Sequence, residues 1–433
     1  PHKTSKELYS LEETTALSDL HEHEVQFSPA THTISRRAEQ RILERDLSLS
    51  LSRRGSGGVG TANSNPPLYY ALQAIPYALG SGGTILERLT LMRLLSALMA
   101  AVTALFAFLF LREALPGVPW AWTVGGLGVA LAPLLGFISG GVNPDAMLFA
   151  VSAALFYALA RAFRRGLTLR LALAIALMTV VGFLTKLNFI GLAPGIVLGM
   201  VLLARREAKV SGRGAYLRLL APALAIVLSP VLVYALVNIV SGDPALGIAS
   251  TGIDELTGAG ASIAGELSFT WQLYLPRLPG MHNYFGEVFT TRQIWFDGLV
   301  GLYGWLDTVF PAWVYDVALV PAALIGALCV RELVVRRGAL RRRLPELLTY
   351  AAISLGVLVL VGLGGYQNAS TYTADFAEPR YLLPMLALWG AVLALAARGA
   401  GRRWGPVVGA LIVVLLLSHD IFSQLQVVAR YYG

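Results

Sequence analysis

Four side chains combine a type and a position that could hold an anion or a hydroxyl: Asp145 in SGGVNPDAML, Lys186 in FLTKLNF, and Glu378 with Arg380 in ADFAEPRYLLPML. Arginine offers phosphate oxygens a two-pronged fork and lysine a point charge, so two such cations brought together would hold a lipid phosphate or pyrophosphate. Glu378 either joins that site or closes a structural ion pair with Arg380. Asp145 begins an apolar run, where a carboxylate is favoured by the helix dipole and satisfies free amide groups. That role would account for it alone; the chemical alternative is a carboxylate that supports an acceptor or binds a divalent metal. A cation at a helix end likewise has a plain explanation, snorkelling into lipid headgroups.

Such positions matter only if a fold assembles them, and the composition says which kind. With 56% hydrophobic residues, 14% charged and 44 glycines in 433, the chain has too little polar surface for a soluble globule. The expected fold is an all-α polytopic transmembrane helix bundle. Ten apolar runs are candidates to cross about 30 Å of hydrocarbon. They are Leu89 to Leu111, Trp120 to Ile138, Pro144 to Phe163, Leu169 to Thr185, Phe189 to Ala204, Tyr216 to Val240, Trp313 to Val330, Glu346 to Gly364, Arg380 to Ala397 and Trp404 to Phe422. Pro194, Pro222, Pro230, Pro321 and Pro384 fall inside them, where a bundle tolerates kinks because neighbouring groups satisfy the freed carbonyls. Cys329 is the single cysteine and leaves no disulfide framework or thiol pair within the chain.

The formal charge of +8 is not a nucleic-acid signal, because the arginines fall in short clusters between apolar runs without interleaved aromatics. Nineteen lysines and arginines occupy alternate loops, in Arg112 and the clusters at 161–170, 205–218, 331–343 and 398–403. The intervening loops and the tail hold only Lys186, Arg277, Arg292, Arg380 and Arg430. By the positive-inside rule the first set is cytoplasmic and the second extracytoplasmic. Four regions follow: residues 1–88 as an external loop, 89–240 as six spans, 241–312 as a large external loop, and 313–433 as four spans. Nothing in residues 1–88 can carry them across a membrane, so at least one further helix is expected upstream.

Within the first loop, SRRGSGGVGTANSN (Ser52 to Asn65) reads as a flexible linker. PPLYYALQAIPYALG (Pro66 to Gly80) is too short to span and reads as an interfacial helix, with Tyr69, Tyr70 and Tyr77 at headgroup level. The second large loop carries Asp243, Asp254, Glu255, Glu266, Glu287, Asp297 and Asp307 beside Trp271, Trp295 and Trp305, which either bind sugar or lipid headgroups or anchor the loop as an aromatic belt. In DLHEHEVQF, His21 and His23 would share a face of a strand, but two histidines without a third ligand make a poor metal site. Ser418, His419 and Asp420 are too compressed in sequence for a catalytic triad.

NPPLYYALQAIPYAL, RLLSALMAAVTALFAFLFLREALP, SGGVNPDAMLFAVSAALFYALA, FLTKLNFIGLAPG, LYGWLD and EPRYLLPMLALWG occur in an order that resembles bacterial membrane proteins related to the GT-C superfamily. That superfamily comprises multi-spanning glycosyltransferases such as the protein O-mannosyltransferases and the aminoarabinose transferase of lipid A. The resemblance covers most of the chain from Asn65 onward. It implies a bacterial plasma-membrane enzyme that takes a sugar from a polyprenyl-phosphate carrier at the outer face and delivers it to a saccharide, lipid or protein acceptor. Arg380 matches the arginine of an Arg-Tyr-x-x-Pro-like motif at the outer start of a late helix, a carrier-phosphate ligand; Lys186 matches less closely. Asp145 matches a second-loop acidic residue, and Tyr69 and Tyr70 would line the lipid entrance. The superfamily's general base follows the first membrane helix, a position that would lie before Pro1. A divalent metal is the one cofactor such a site would admit. Two other classes compete: a transporter or flippase of a lipid-linked saccharide, which should show polar groups at helix midpoints and internal repeats, and a structural subunit, which would need none of the external charges.

Overall fold

The computed structural model describes residues 9–33, 36–53, 65–212, 214–241, 262–285, 291–371 and 378–432. Residues 54–64 of the expected linker, Asp243, Asp254, Glu255 and Glu287 of the second large loop, and Arg213 of a basic cluster lie outside them. The described chain is an all-α polytopic helix bundle. The only strands among the described residues are a two-residue antiparallel pair, Leu302–Tyr303 with Thr308–Val309.

Apolar solvent leaves the backbone no partner except itself, and the leucine, alanine and valine runs accordingly close into helices. Eight helices among the described residues are long and apolar enough to cross a membrane. A ninth crossing arises if Pro119–Ala130 and Pro133–Ser139, bent by 49° at the intervening break, count as one span. Leu169–Thr185 is apolar but only 17 residues long. The ten runs therefore fall on these elements, with boundaries set by caps and breaks rather than by hydropathy. Thr84 and Glu87 form a capping box that starts Ile85–Ala114 ahead of its apolar stretch. Two later spans begin as 3-10 turns, Leu187–Leu192 before Ala193–Ser211 and Pro379–Met385 before Leu386–Gly399.

The bundle is organised around Asp145–Arg165, most of whose residues are buried. It packs against Ile85–Ala114, Leu169–Thr185 and the 3-10 turn Pro379–Met385. Phe110, Phe149, Phe156 and Leu159 fill the space between these elements. Small residues let backbones approach closely: a Cβ on Gly125 would strike the Gly390 carbonyl, which brings Pro119–Ala130 onto Leu386–Gly399. A Cβ on Gly356 would likewise strike the Gly191 carbonyl, so helix Leu344–Thr371 seats the turn that follows Lys186. Gly401–Tyr432 and Ala312–Val335 keep broad faces of leucine and valine exposed, as lipid-facing helices do.

The polar first region is folded rather than extended. Helices Leu11–Asp19, Glu22–Val25 and Arg37–Leu47 lie at the end of the bundle where Ile85–Ala114 begins and Gly401–Tyr432 finishes. Glu12 pairs there with Arg88, which is fully buried and donates to Tyr77 Oη at 2.7 Å. Arg430 donates to the carbonyls of Thr31 and Val25 and pairs with Asp307 at 2.7 Å. His21 and His23 do not share a strand: Glu22–Val25 is helical, and His21 caps it in a left-handed conformation at φ 54°. No group of three or more His, Cys, Asp or Glu among the described residues could hold a metal ion.

Residues 66–80 do form one short helix, Leu68–Leu79, but its tyrosines are not all at a surface. Tyr69 is fully buried, because its hydroxyl finds Ser96 on the neighbouring helix at 2.9 Å and accepts from Gln73 Nε2 at 2.9 Å. A hydroxyl so partnered can enter the core without losing a hydrogen bond.

Candidate functional site

Asp145, Lys186, Glu378 and Arg380 come from three separate segments and meet at one end of the bundle. Each owes its place to a local break. Asp145 is the first residue of its helix, and its N–H donates to Asn143 Oδ1 at 2.9 Å, so the turn preceding the helix supplies the cap. Lys186 ends Leu169–Thr185 in an extended conformation, which turns its side chain out of that helix. Arg380 opens the 3-10 turn whose N-terminal boundary is Glu378.

Lys186 Nζ donates to Asp145 Oδ1 at 2.7 Å, and both side chains are largely buried, at 13% and 3% exposure. Arg380 grips Glu378 through Nε at 2.5 Å and Nη2 at 3.2 Å. The two pairs touch: Arg380 Nε lies 4.0 Å from Asp145 Oδ2. Tyr381 stands between the cations, its ring 5.7 Å from Lys186 Nζ and 5.4 Å from the Arg380 guanidinium. The four charges cancel, which is how a low-dielectric environment tolerates them.

The balance is not symmetrical. The Lys186 and Asp145 pair lies deep, whereas Arg380 and Glu378 retain 30% and 22% exposure and form the accessible half. Burial pushes the Glu378 carboxyl above its usual range; the Arg380 charge opposes that shift, and the nearby Asp145 charge adds to it. Asp145 Oδ2 is buried and accepts no hydrogen bond among the described residues. The cluster thus presents one carboxylate oxygen held by a lysine, a second with no hydrogen bond among the described residues, and an arginine whose carboxylate partner burial shifts toward its neutral form.

Tyr70 is half-buried and feels the Asp145 charge; burial pushes its hydroxyl upward, and a hydrogen bond with Asn65 opposes this. Tyr69 does not line an opening, but its hydroxyl also hydrogen-bonds the Asn143 backbone, which steadies the turn carrying Asp145. Three contributors escape a reading of the sequence. Asn143 and Tyr381 sit beside named residues and were hidden by them. Arg93, one basic residue within an apolar run, donates from Nε to the Gly140 carbonyl and clasps the same turn. A lone arginine near a span's start was the signal available for it.

Two other cations of this end, Arg292 and Arg430, are also partnered. Arg292 pairs with Asp297 and Asp316, at 3.2 and 2.6 Å, and Arg430 with Asp307. Trp295 stacks on Tyr274 at 5.1 Å and donates to the Leu273 carbonyl, so part of the aromatic content of the second large loop is internal packing.

No curated protein and no solved structure matches the chain. The family described as predicted membrane protein, DUF2142, matches residues 36–389. A bundle with eight helices, among the described residues, long and apolar enough to cross a membrane is in keeping with that description, and the chain belongs to the DUF2142 family of predicted membrane proteins.

Proposed function

We propose that the protein is a glycosyltransferase that moves a sugar from a polyprenyl-phosphate carrier to an acceptor at the extracytoplasmic face of a bacterial plasma membrane. The observation that carries this reading is the convergence of Lys186, Arg380, Glu378 and Asp145 at the end of the bundle opposite the arginine clusters. The positive-inside rule puts that end outside. Arg380 is the carrier-phosphate ligand: it is the more exposed cation, and its carboxylate partner is the one whose charge burial disfavours. Lys186 supports it while holding Asp145, whose vacant Oδ2 orients the acceptor hydroxyl. The acceptor oxygen bonds to the anomeric carbon as the bond from that carbon to the carrier phosphate breaks, the hydroxyl proton passes to the departing phosphate, and fixed cations stabilise the charge gathering there.

Purified protein incubated with a panel of polyprenyl-phosphate sugars tests this. Arg380→Ala is expected to lower transfer by roughly a hundredfold, the scale of losing one preorganised charge contact in a dry site. Unchanged transfer by that variant would remove the phosphate role.

A second reading has its own support. The bent pair at Pro133 and the 3-10 starts at Leu187 and Pro379 all interrupt spans toward the site end, as discontinuous helices do in transporters. Flipping of a labelled polyprenyl-phosphate sugar across vesicles, with no glycosylated product, would favour that alternative.

A further inference from the structure

The opposite end of the bundle contains a chamber of about 740 Å³. Six basic side chains line it: Arg164, Arg205, Arg206, Lys209, Arg342 and Arg343. They come from the end of Asp145–Arg165, the end of Ala193–Ser211 and the junction between Arg337–Arg342 and Leu344–Thr371. Phe163, Leu202, Pro116 and Pro345 provide apolar wall between them.

The two carboxylates in the lining are already engaged. Glu113 is buried and takes Arg165 Nη2 at 2.6 Å, with Arg164 Nε at 3.7 Å. Glu346 is buried and takes both Arg343 Nη2 at 2.7 Å and the Tyr350 hydroxyl at 2.9 Å. Glu207, on the same helix as three of the cations, is occupied at Oε1 by the Leu167 N–H. Arg206 reaches the Phe163 carbonyl with Nη1, and Arg164 reaches the Arg112 and Glu113 carbonyls with Nη1. Those bonds hold the two side chains at the wall and leave other guanidinium donors available. Arg205, Lys209 and Arg342 have no ion pair or hydrogen bond among the described residues.

Orientation in a membrane requires basic loops, but it does not require them to converge on a cavity with apolar walls. Basic pockets between membrane helices are the physical form of sites for phosphate headgroups. We propose that this chamber binds a phosphate-bearing anion, presented either on a membrane lipid headgroup or on a free phosphorylated molecule. Guanidinium forks and a lysine recognise the phosphate oxygens, and in the lipid case Phe163 and Leu202 receive the first part of the tail. The chamber lies at the end away from Asp145 and Arg380, and the proposal is independent of the transferase reading.

The test uses full-length protein in a non-ionic detergent and its Arg205→Gln, Arg342→Gln double variant, which removes two cations without breaking a described pair. Binding of dioleoylphosphatidylglycerol, uncharged dioleoylglycerol and free pyrophosphate is measured by native mass spectrometry and thermal shift. The expected result is binding of at least one anionic probe, weakened roughly tenfold or more in the double variant, with unchanged unfolding temperature in its absence. Preference for phosphatidylglycerol identifies a lipid headgroup; equal or better binding of pyrophosphate identifies a free phosphate. Retention by Arg205→Lys, Arg342→Lys would confirm that charge is what matters. Equal binding of both anions by wild type and the glutamine variant, or equal binding of dioleoylglycerol, would overturn the proposal.

Discussion

The charge cluster at the Asp145 end and the basic chamber at the other end handle positive charge differently. At the Asp145 end, Lys186, Arg292, Arg380, Arg430 and Arg88 each have a carboxylate of their own. At the other end, Arg343 and Arg164 contact the chamber's two carboxylates, while Arg205, Lys209 and Arg342 line it with no ion pair among the described residues. Paired charges in a dry setting are costly to disturb, because removing one member strands the other. Unpaired, water-accessible charges contribute little to stability and are open to partners from outside. The first end is consequently expected to be sensitive to substitution in its folding, and the second in what it binds.

Lys186→Met should have the largest effect, a destabilisation on the order of 3–5 kcal/mol, because it leaves the buried Asp145 carboxylate with only Arg380 Nε at 4.0 Å. Adding Asp145→Leu to that variant should recover most of the loss in a thermal unfolding measurement. Failure to recover would mean that the lysine acts through something other than this pair. Gly356→Ala should follow at about 1–3 kcal/mol, since the new methyl meets the Gly191 carbonyl and pushes the turn after Lys186. An undisplaced melting curve would mean that this close approach does not seat the lysine.

Glu378 offers a subtler probe. Its carboxyl pKa is raised on folding, so its contribution to stability is present below the unfolded value and is lost as pH rises through the folded one. The same sign applies to ligands: protonation frees Arg380, so a polyprenyl phosphate should bind more tightly as pH falls through that value. Glu378→Gln should bind with a flatter profile when the two proteins are compared at each pH; parallel profiles would place the titration elsewhere. Arg342→Gln should have the smallest effect on folding, within about 0.5 kcal/mol, as expected for a cation with no described partner. A marked destabilisation would erase the contrast between the two ends.

The spans were legible because hydrocarbon demands long apolar runs, and all ten runs coincide with helices or broken helices. Their edges were not, since Thr84 with Glu87, the break before Pro133 and the two 3-10 starts are matters of capping and backbone geometry that hydropathy ignores. Charge alternation placed Asp145, Lys186 and Arg380 at the same end. It could not say that Lys186 would reach Asp145, 41 residues away, while Arg380 turned to Glu378, because rotational phase between helices is set by packing. Tyr69 shows the same limit: an aromatic near a proline-broken helix reads as interfacial until Ser96 and Gln73 appear beside its hydroxyl.

The clasp between the first polar region and the last helix bears on how the chain is made. Arg430 reaches the Thr31 carbonyl across 399 positions, and the Arg430 carbonyl meets His32 Nδ1 across 398. During synthesis the contacts to Thr31 and His32 must therefore wait until the last helix is made, whereas Glu12 can meet Arg88 as soon as Ile85–Ala114 is present.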